Sequence, residues 1–309
     1  MGKFVVAGVT QIETIVKVDK IPVEFAPLTR GTGTICTSVG GDAYNESLAL
    51  KWLGNDVTFM SMVGRTQNME LLNPADRKVT IPTEYIIPQM ENTPTEVIFY
   101  DRNRRQQIFE DLKDLHDAVY DLSMATPLVA ACDMVILANA NFCRPFLRLA
   151  REHCRRIAVN VRNFNRDMEK YNTEFLNGAQ ILYFSDDILT EDPFDFVQSI
   201  ADRYATDIIV LGQGAEGVIL YDRNAGIKVH YNSVNTNEVV NTAGAGNALF
   251  SCFLHYYLET GNSVNAIKNA LLFASYKIGY MGTSNGFMTT QQLEQWHNLI
   301  WGVKEETKQ

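Results

Sequence analysis

Apolar residues enter this chain in short blocks, and their spacing separates strands from helices. The run Phe4 to Val9 predicts a buried strand. Glu13 to Val18 predicts a second, carrying Ile15 and Val16, before Pro22 and Pro27 interrupt the pattern. The Thr-rich stretch Thr32 to Val39 predicts an exposed strand pairing with the segment before it. From Asp42 to Leu53 the period changes. Tyr44, Leu48 and Trp52 recur every fourth residue with Ala49 and Leu53 beside them, which predicts a helix with one apolar face, capped by Gly54. Further strands are expected at 57–63, 95–100, 134–138, 157–161, 182–184, 208–211, 218–221 and 228–234. Helices are expected at 145–153, 194–204, 247–258, 264–280 and 290–300, with a frayed charged tail at 304–309. Residues 65–94 carry no regular pattern.

From about residue 130 onward strands alternate with helices. That order predicts an α/β protein: a doubly wound, mostly parallel sheet flanked by helices, in one domain spanning 1–309. A content of 46% hydrophobic and 20% charged residues suits a soluble chain with a sizeable core. The net charge of −9 argues against nucleic-acid and membrane partners, which need a basic patch, but leaves small anions open, because backbone N–H groups bind them without Lys or Arg. The five cysteines are odd in number and lack metal-ligand spacing, so free thiols in a cytoplasmic setting are expected. The N-terminal apolar run is too short for a secretory h-region, and no run approaches a membrane span. The five histidines are scattered, without ligand spacing.

Two glycine-rich segments carry candidate chemistry. Gly212-Gln213-Gly214-Ala215-Glu216-Gly217 matches a dinucleotide-binding turn in letters, but Val218-Ile219-Leu220-Tyr221 after it alternates like a strand, so a hairpin fits better than a helix-opening turn. Asn241-Thr242-Ala243-Gly244-Ala245-Gly246-Asn247 precedes the apolar helical stretch Ala248 to Leu254. Small residues at a helix start let the backbone approach a ligand, and the free N–H groups there suit phosphate.

The second segment resembles the D-T-x-G-A-G-D signature of the ribokinase-like (PfkB) carbohydrate kinases. Gly40-Gly41-Asp42-Ala43-Tyr44-Asn45, followed by Leu53-Gly54, resembles their N-terminal G-G-x-x-x-N element. Glu13 stands five residues after Gly8, where the family places a substrate-binding acid, and Asn160-Val161-Arg162 resembles its N-x-R element. The matches run in family order over nearly the whole chain. The resemblance implies a ribokinase-like sheet with a small β lid from about 13–39 and 95–108. It implies transfer of the ATP γ-phosphoryl group to a sugar hydroxyl, with Mg²⁺. Glu13, Gly40, Gly41, Asn45 and Arg162 would hold the sugar-like substrate. Gly214, Gly217, Asn241 and Thr242 would face the nucleotide. Gly244, Ala245 and Gly246 would form the anion hole beside residue 247, and an exposed lid edge would offer a homodimer contact.

Several positions depart from that pattern. The family's base is an acid where this chain has Asn247, and an amide does not accept a proton at neutral pH. Asn241 replaces the opening acid, and Ala158 the acid before Asn160. The N-x-x-E metal element falls near Ser185-Asp186-Asp187-Ile188 without its anchors, leaving Asp186 and Asp187 as metal candidates or as a solvated acidic loop. Loss of a positioned base lowers a rate by ~10²–10⁴, so a weakened kinase is one reading. A non-catalytic sugar- or nucleotide-binding protein with a regulatory or sensing role is the other. With Asn at 241 and 247, the anion hole is expected to be more positive than an acid-bearing one.

Overall fold

In the computed structural model, residues 1–74 and 78–302 are described; the tail expected to fray lies outside them. The chain opens with β1 (Lys3–Ala7), β2 (Gln11–Lys17), β3 (Ile35–Gly40), helix α1 (Asp42–Trp52) and β4 (Asp56–Gly64). After β5 (Ile86–Met90), β6 (Thr95–Tyr100) and β7 (Gln106–Asp111), strands and helices alternate. These are α2 (Thr126–Ala131), β8 (Met134–Ala138), α3 (Arg144–Glu152), β9 (Arg156–Asn163), α4 (Glu169–Gly178), β10 (Ile181–Ser185), α5 (Pro193–Arg203) and β11 (Ile208–Gly212). The hairpin β12 (Val218–Asp222) and β13 (Ile227–Tyr231) follows, then α6 (Ala245–Thr260), α7 (Ser263–Lys277) and α8 (Thr290–Trp301).

Nine strands form one sheet in the order β13-β12-β11-β10-β9-β8-β1-β4-β5. Every pairing from β5 to β11 is parallel, and the β12–β13 edge is antiparallel. Alternation along each strand divides its side chains between two cores. Met134 and Ile136 of β8 join Phe250, Phe253 and Phe273 of α6 and α7. Val135 and Leu137 join Phe146, Phe175 and Phe196 of α3, α4 and α5. Both faces are covered, which is why Ile208-Ile209-Val210-Leu211 is continuously apolar rather than alternating.

A second sheet of four strands has the order β3-β2-β6-β7. It buries Gln11, Glu13 and Ile15 from β2 and Glu96, Ile98 and Tyr100 from β6. Carboxylates on the covered face of a small sheet imply that this face meets polar partners. No helix among the described residues is long and apolar enough to cross a membrane.

The predicted α/β order holds, with four elements added. β5 lay hidden because Pro88 interrupts it, and it occupies the sheet edge, where proline is tolerated. β7 is largely exposed and polar. α2 is only six residues long, and α4 mixes Asn172 and Gly178 into its buried set. The Gly212 to Gly217 segment joins antiparallel β11 and β12, as the alternation after it implies. Phe250, fully buried and 5.3 Å from the Tyr183 ring, joins α6 to β10. Phe250→Ala is expected to lower the unfolding free energy by roughly 3–5 kcal/mol, read as a drop in denaturant midpoint at constant m-value.

Candidate active site

The carboxyl ends of parallel strands in an open sheet are its usual ligand edge. Here β3 delivers Gly40-Gly41 to the start of α1 at that edge. Gly41 has φ 99°, and a Cβ on it would lie 2.5 Å from the Val9 carbonyl. A Cβ on Gly40 would stand 2.1 Å from the Glu13 carboxylate. The Glu13 arm therefore fills the space that glycine leaves. Glu13 is buried and accepts hydrogen bonds from the Gly41 N–H at 2.6 Å, from the Thr283 hydroxyl and from Gln11 at 3.4 Å. Burial raises its pKa, which those bonds and Arg162 oppose. Both of its oxygens are thus engaged within the protein. Asn45, buried on α1, leaves its Oδ1 without a partner among the described residues where it lines the cleft.

The loop before α6 turns at Gly244, with φ 79°, where a Cβ would press 2.6 Å from the Thr283 carbonyl. The Ala245 N–H donates to Thr242 O at 3.1 Å, so it is not a free anion donor as the resemblance implied. The Gly246 and Asn247 N–H groups have no acceptor among the described residues. A Cβ at 246 would reach within 2.5 Å of the Tyr183 hydroxyl, and one at Gly212 within 2.7 Å, so both glycines pack on that tyrosine. Asn241 is wholly buried. Its Oδ1 accepts from the Ala243 N–H at 2.7 Å, so it shapes the loop from inside rather than facing a nucleotide. The Thr242 hydroxyl accepts from Gln106 of β7. Beneath the loop, Lys277 is fully buried and donates to the carbonyls of Ala243 and, at 2.7 Å, Gly282. Burial brings its pKa down to about 7.

Asn247 is fixed at both ends of its amide. Its Oδ1 accepts from Asn160 Nδ2 at 3.0 Å, and its Nδ2 donates to Asp42 Oδ1 at 3.2 Å. Flipping the amide would set amino group against amino group and oxygen against carboxylate, so the network allows one orientation. Asn160 also donates to Glu46 Oε1 at 2.7 Å. Burial, then the charge of Asp42, raises the Glu46 pKa well above the usual carboxylate range.

Arg162 enters the cleft from an irregular stretch of β9, where Tyr183 pairs with Asn160 but Phe184 with Arg162. The residue has φ 59°, uncommon for a side chain of this size. Its guanidinium lies 3.5 Å from Asp42, 3.3 Å from Glu96 and 3.4 Å from Glu110. Asp42 is the largest influence raising the Arg162 pKa. Glu96 also accepts from Gln11, and burial pushes it up to about 7.

The structure therefore gathers Glu13, Asn45, Arg162, Gly244 and Asn247 around one cleft. It adds Asp42, Glu96, Gln106 and Thr283, which sequence reasoning did not single out. Asp42 places a carboxylate beside Asn247, in hydrogen-bond contact with its amide. A signal for Glu96 was present: it alternates with Ile98 and Tyr100 as a charged residue on an otherwise apolar strand face. A wider hollow of about 670 Å³ beside Gln67, Asn92 and Lys113 has no carboxylate among the described residues that line it.

The turn holding Gly214 (φ 53°) and Gly217 (φ 116°) closes the end of β11. A Cβ at 217 would collide with the Tyr231 carbonyl, so this glycine is needed by the hairpin itself. Asp186 accepts from Gln213 at 3.2 Å, and Asp187 from Ser185 at 2.8 Å. No group of three or more His, Cys, Asp or Glu among the described residues forms a metal cage. Two carboxylates at a strand end nevertheless supply the oxygen donors that Mg²⁺ takes when phosphates complete its shell.

The doubly wound sheet, with uncommitted amides at a glycine-opened helix start, defines the chain as an α/β protein. The model of the pfkB family carbohydrate kinases matches residues 1–291, and the chain belongs to that family. A Dictyostelium discoideum ribokinase is 22% identical, over 93% of this chain and 98% of that protein. A Salmonella typhi deoxyribokinase is 32% identical over 112 residues, and the chain spans only 35% of that relative's length. A microbiome-derived acarbose kinase superposes with TM-score 0.82 at 20% identity, over 95% of this chain and 98% of that one. The Arabidopsis thaliana ribokinase complexed with ribose and ATP gives 0.76 at 15% identity, over 95% and 98%. At such identities the superpositions bear on fold alone.

Glu96 also gives the fold a pH dependence. Between pH 4.5 and about 7 the folded protein holds a proton that the unfolded chain has released, so stability falls as pH rises through that window. Glu96→Gln is expected to remove this component, roughly 3 kcal/mol across the full shift. Urea midpoints at pH 5 and 7.5 read it, and an unchanged slope in the variant would show that Glu96 ionises freely.

Proposed function

We propose that this protein transfers the γ-phosphoryl group of ATP to a hydroxyl of a sugar or nucleoside. One juxtaposition carries the reading: the unbonded N–H groups of Gly246 and Asn247 lie beside the cleft into which Asn45, Glu13 and Arg162 converge. The helix terminus would bind the charge developing on the transferred group. Asn45 Oδ1, a buried acceptor with no partner among the described residues, suits a ligand hydroxyl. Gly40 and Gly41 hold Glu13 and α1 in register for that ligand. The turn at Gly214 and Gly217, with Thr242, would flank the nucleotide. Mg²⁺ at Asp186 and Asp187 would neutralise phosphate charge when bound. The four-stranded sheet acts as a lid, tied down by Arg162 through Glu96 and Glu110. Ile35 and Phe109, exposed on its two edge strands, would bury against a second copy.

The amide at position 247 favours a second reading, a binding protein without turnover that serves sensing or regulation. A coupled ADP-release assay with MgATP and ribose, 2-deoxyribose, inosine or acarbose separates the two, with calorimetry on the same compounds. ADP formation with at least one acceptor is expected. Asn45→Ala should raise the KM for that acceptor on the order of tenfold. Saturable binding with no ADP would replace the kinase by the binder, and neither binding nor ADP would remove both.

A further inference from the structure

We infer that Asp42 is the general base of this site, doing from α1 what residue 247 cannot do from α6. The inference rests on the kinase reading above and adds the residue that receives the proton.

The geometry excludes the other acids near Asn247. Glu13 makes no contact with Asn247 among the described residues; its oxygens meet Gly41, Gln11 and Thr283. Glu46 lies behind Asn160, buried and away from the cleft lining. Glu96 and Glu110 belong to the small sheet and meet Arg162 rather than Asn247. Asp42 alone both lines the cleft and touches residue 247, with Oδ1 at 3.2 Å from the amide. It sits in the first turn of α1, where the helix terminus favours a carboxylate, and Arg162 stands 3.5 Å from its other oxygen. Its side chain keeps 13% of its surface open.

The same contact accounts for the amide. An aspartate at 247 would face Asp42 at hydrogen-bonding distance, and two carboxylates that close must share a proton. Asparagine donates to Asp42 instead and aims it. The chemistry then closes without further reagents. The acceptor oxygen bonds to the γ-phosphorus of the nucleoside triphosphate, and the bond from that phosphorus to the β,γ-bridging oxygen breaks. The nucleoside diphosphate leaves with the electron pair, and the hydroxyl proton passes to an Asp42 oxygen and on to water.

Four proteins test this in the acceptor panel above: native, Asp42→Asn, Asn247→Asp and the exchange Asp42→Asn with Asn247→Asp. Melting curves and acceptor calorimetry establish that each is folded and binds. Asp42→Asn should lower kcat by ~10²–10⁴ while KM stays within a few fold. Asn247→Asp should not exceed the native rate, and the exchange should regain at least about tenfold over Asp42→Asn, as expected for one base moved between facing positions. If Asp42→Asn keeps kcat within about threefold of native, a change too small for a lost base, Asp42 is not the base. If Asn247→Asp alone raises turnover, or only the exchange protein turns over, Asp42 also falls while the kinase pocket stands. If none of the four releases ADP with any acceptor, the kinase reading fails and the inference with it.

Discussion

One guanidinium holds the acidic groups of this cleft together. Arg162 reaches Asp42 on α1, Glu96 on β6 and Glu110 on β7, and so links the large sheet to the small one. Without it, three carboxylates from three elements would face each other in a poorly solvated space, an arrangement proteins avoid unless a cation is present. Its left-handed backbone and the irregular pairing around it are the local strain needed to aim that side chain inward. The small sheet is held over the strand ends by this ion pair network together with apolar packing, in which Val39 and Ile12 join the main core. The apolar cluster there is small: Ile15, Ile98, Tyr100 and Ala243.

The residues that depart from the family pattern have partners. Glu13 carries a longer arm than the usual acid, and its carboxylate occupies the space over Gly40 while capping the Gly41 amide. Asn247 lacks an acid, and an acid stands opposite it at position 42. Read singly, each departure suggests damage. Read as contacts, Glu13 caps the Gly41 amide and Asn247 donates to the Asp42 carboxylate.

Much of this was legible in the sequence. Continuous apolar runs gave the parallel strands, and the glycines at 40–41 and 244–246 marked the starts of α1 and α6. The failures have physical causes. Pro88 masked an edge strand, and the short or polar-rich α2 and α4 offered little periodicity. The role of Ala245 was misjudged because a turn to Thr242 consumes its N–H, which no residue pattern reveals. Asp42 stood inside a recognised motif, yet its meaning depends on a residue 205 positions away.

Lys277 shows how a buried charge need not make a fragile structure. Among the described residues its nitrogen serves two carbonyls, from Ala243 and Gly282, and an uncharged amine still has two N–H bonds to give. Losing the proton near neutrality would therefore alter the potential under the loop that precedes α6 and leave its shape in place. The charge beneath the loop can change with acidity while the two hydrogen bonds that hold the loop persist.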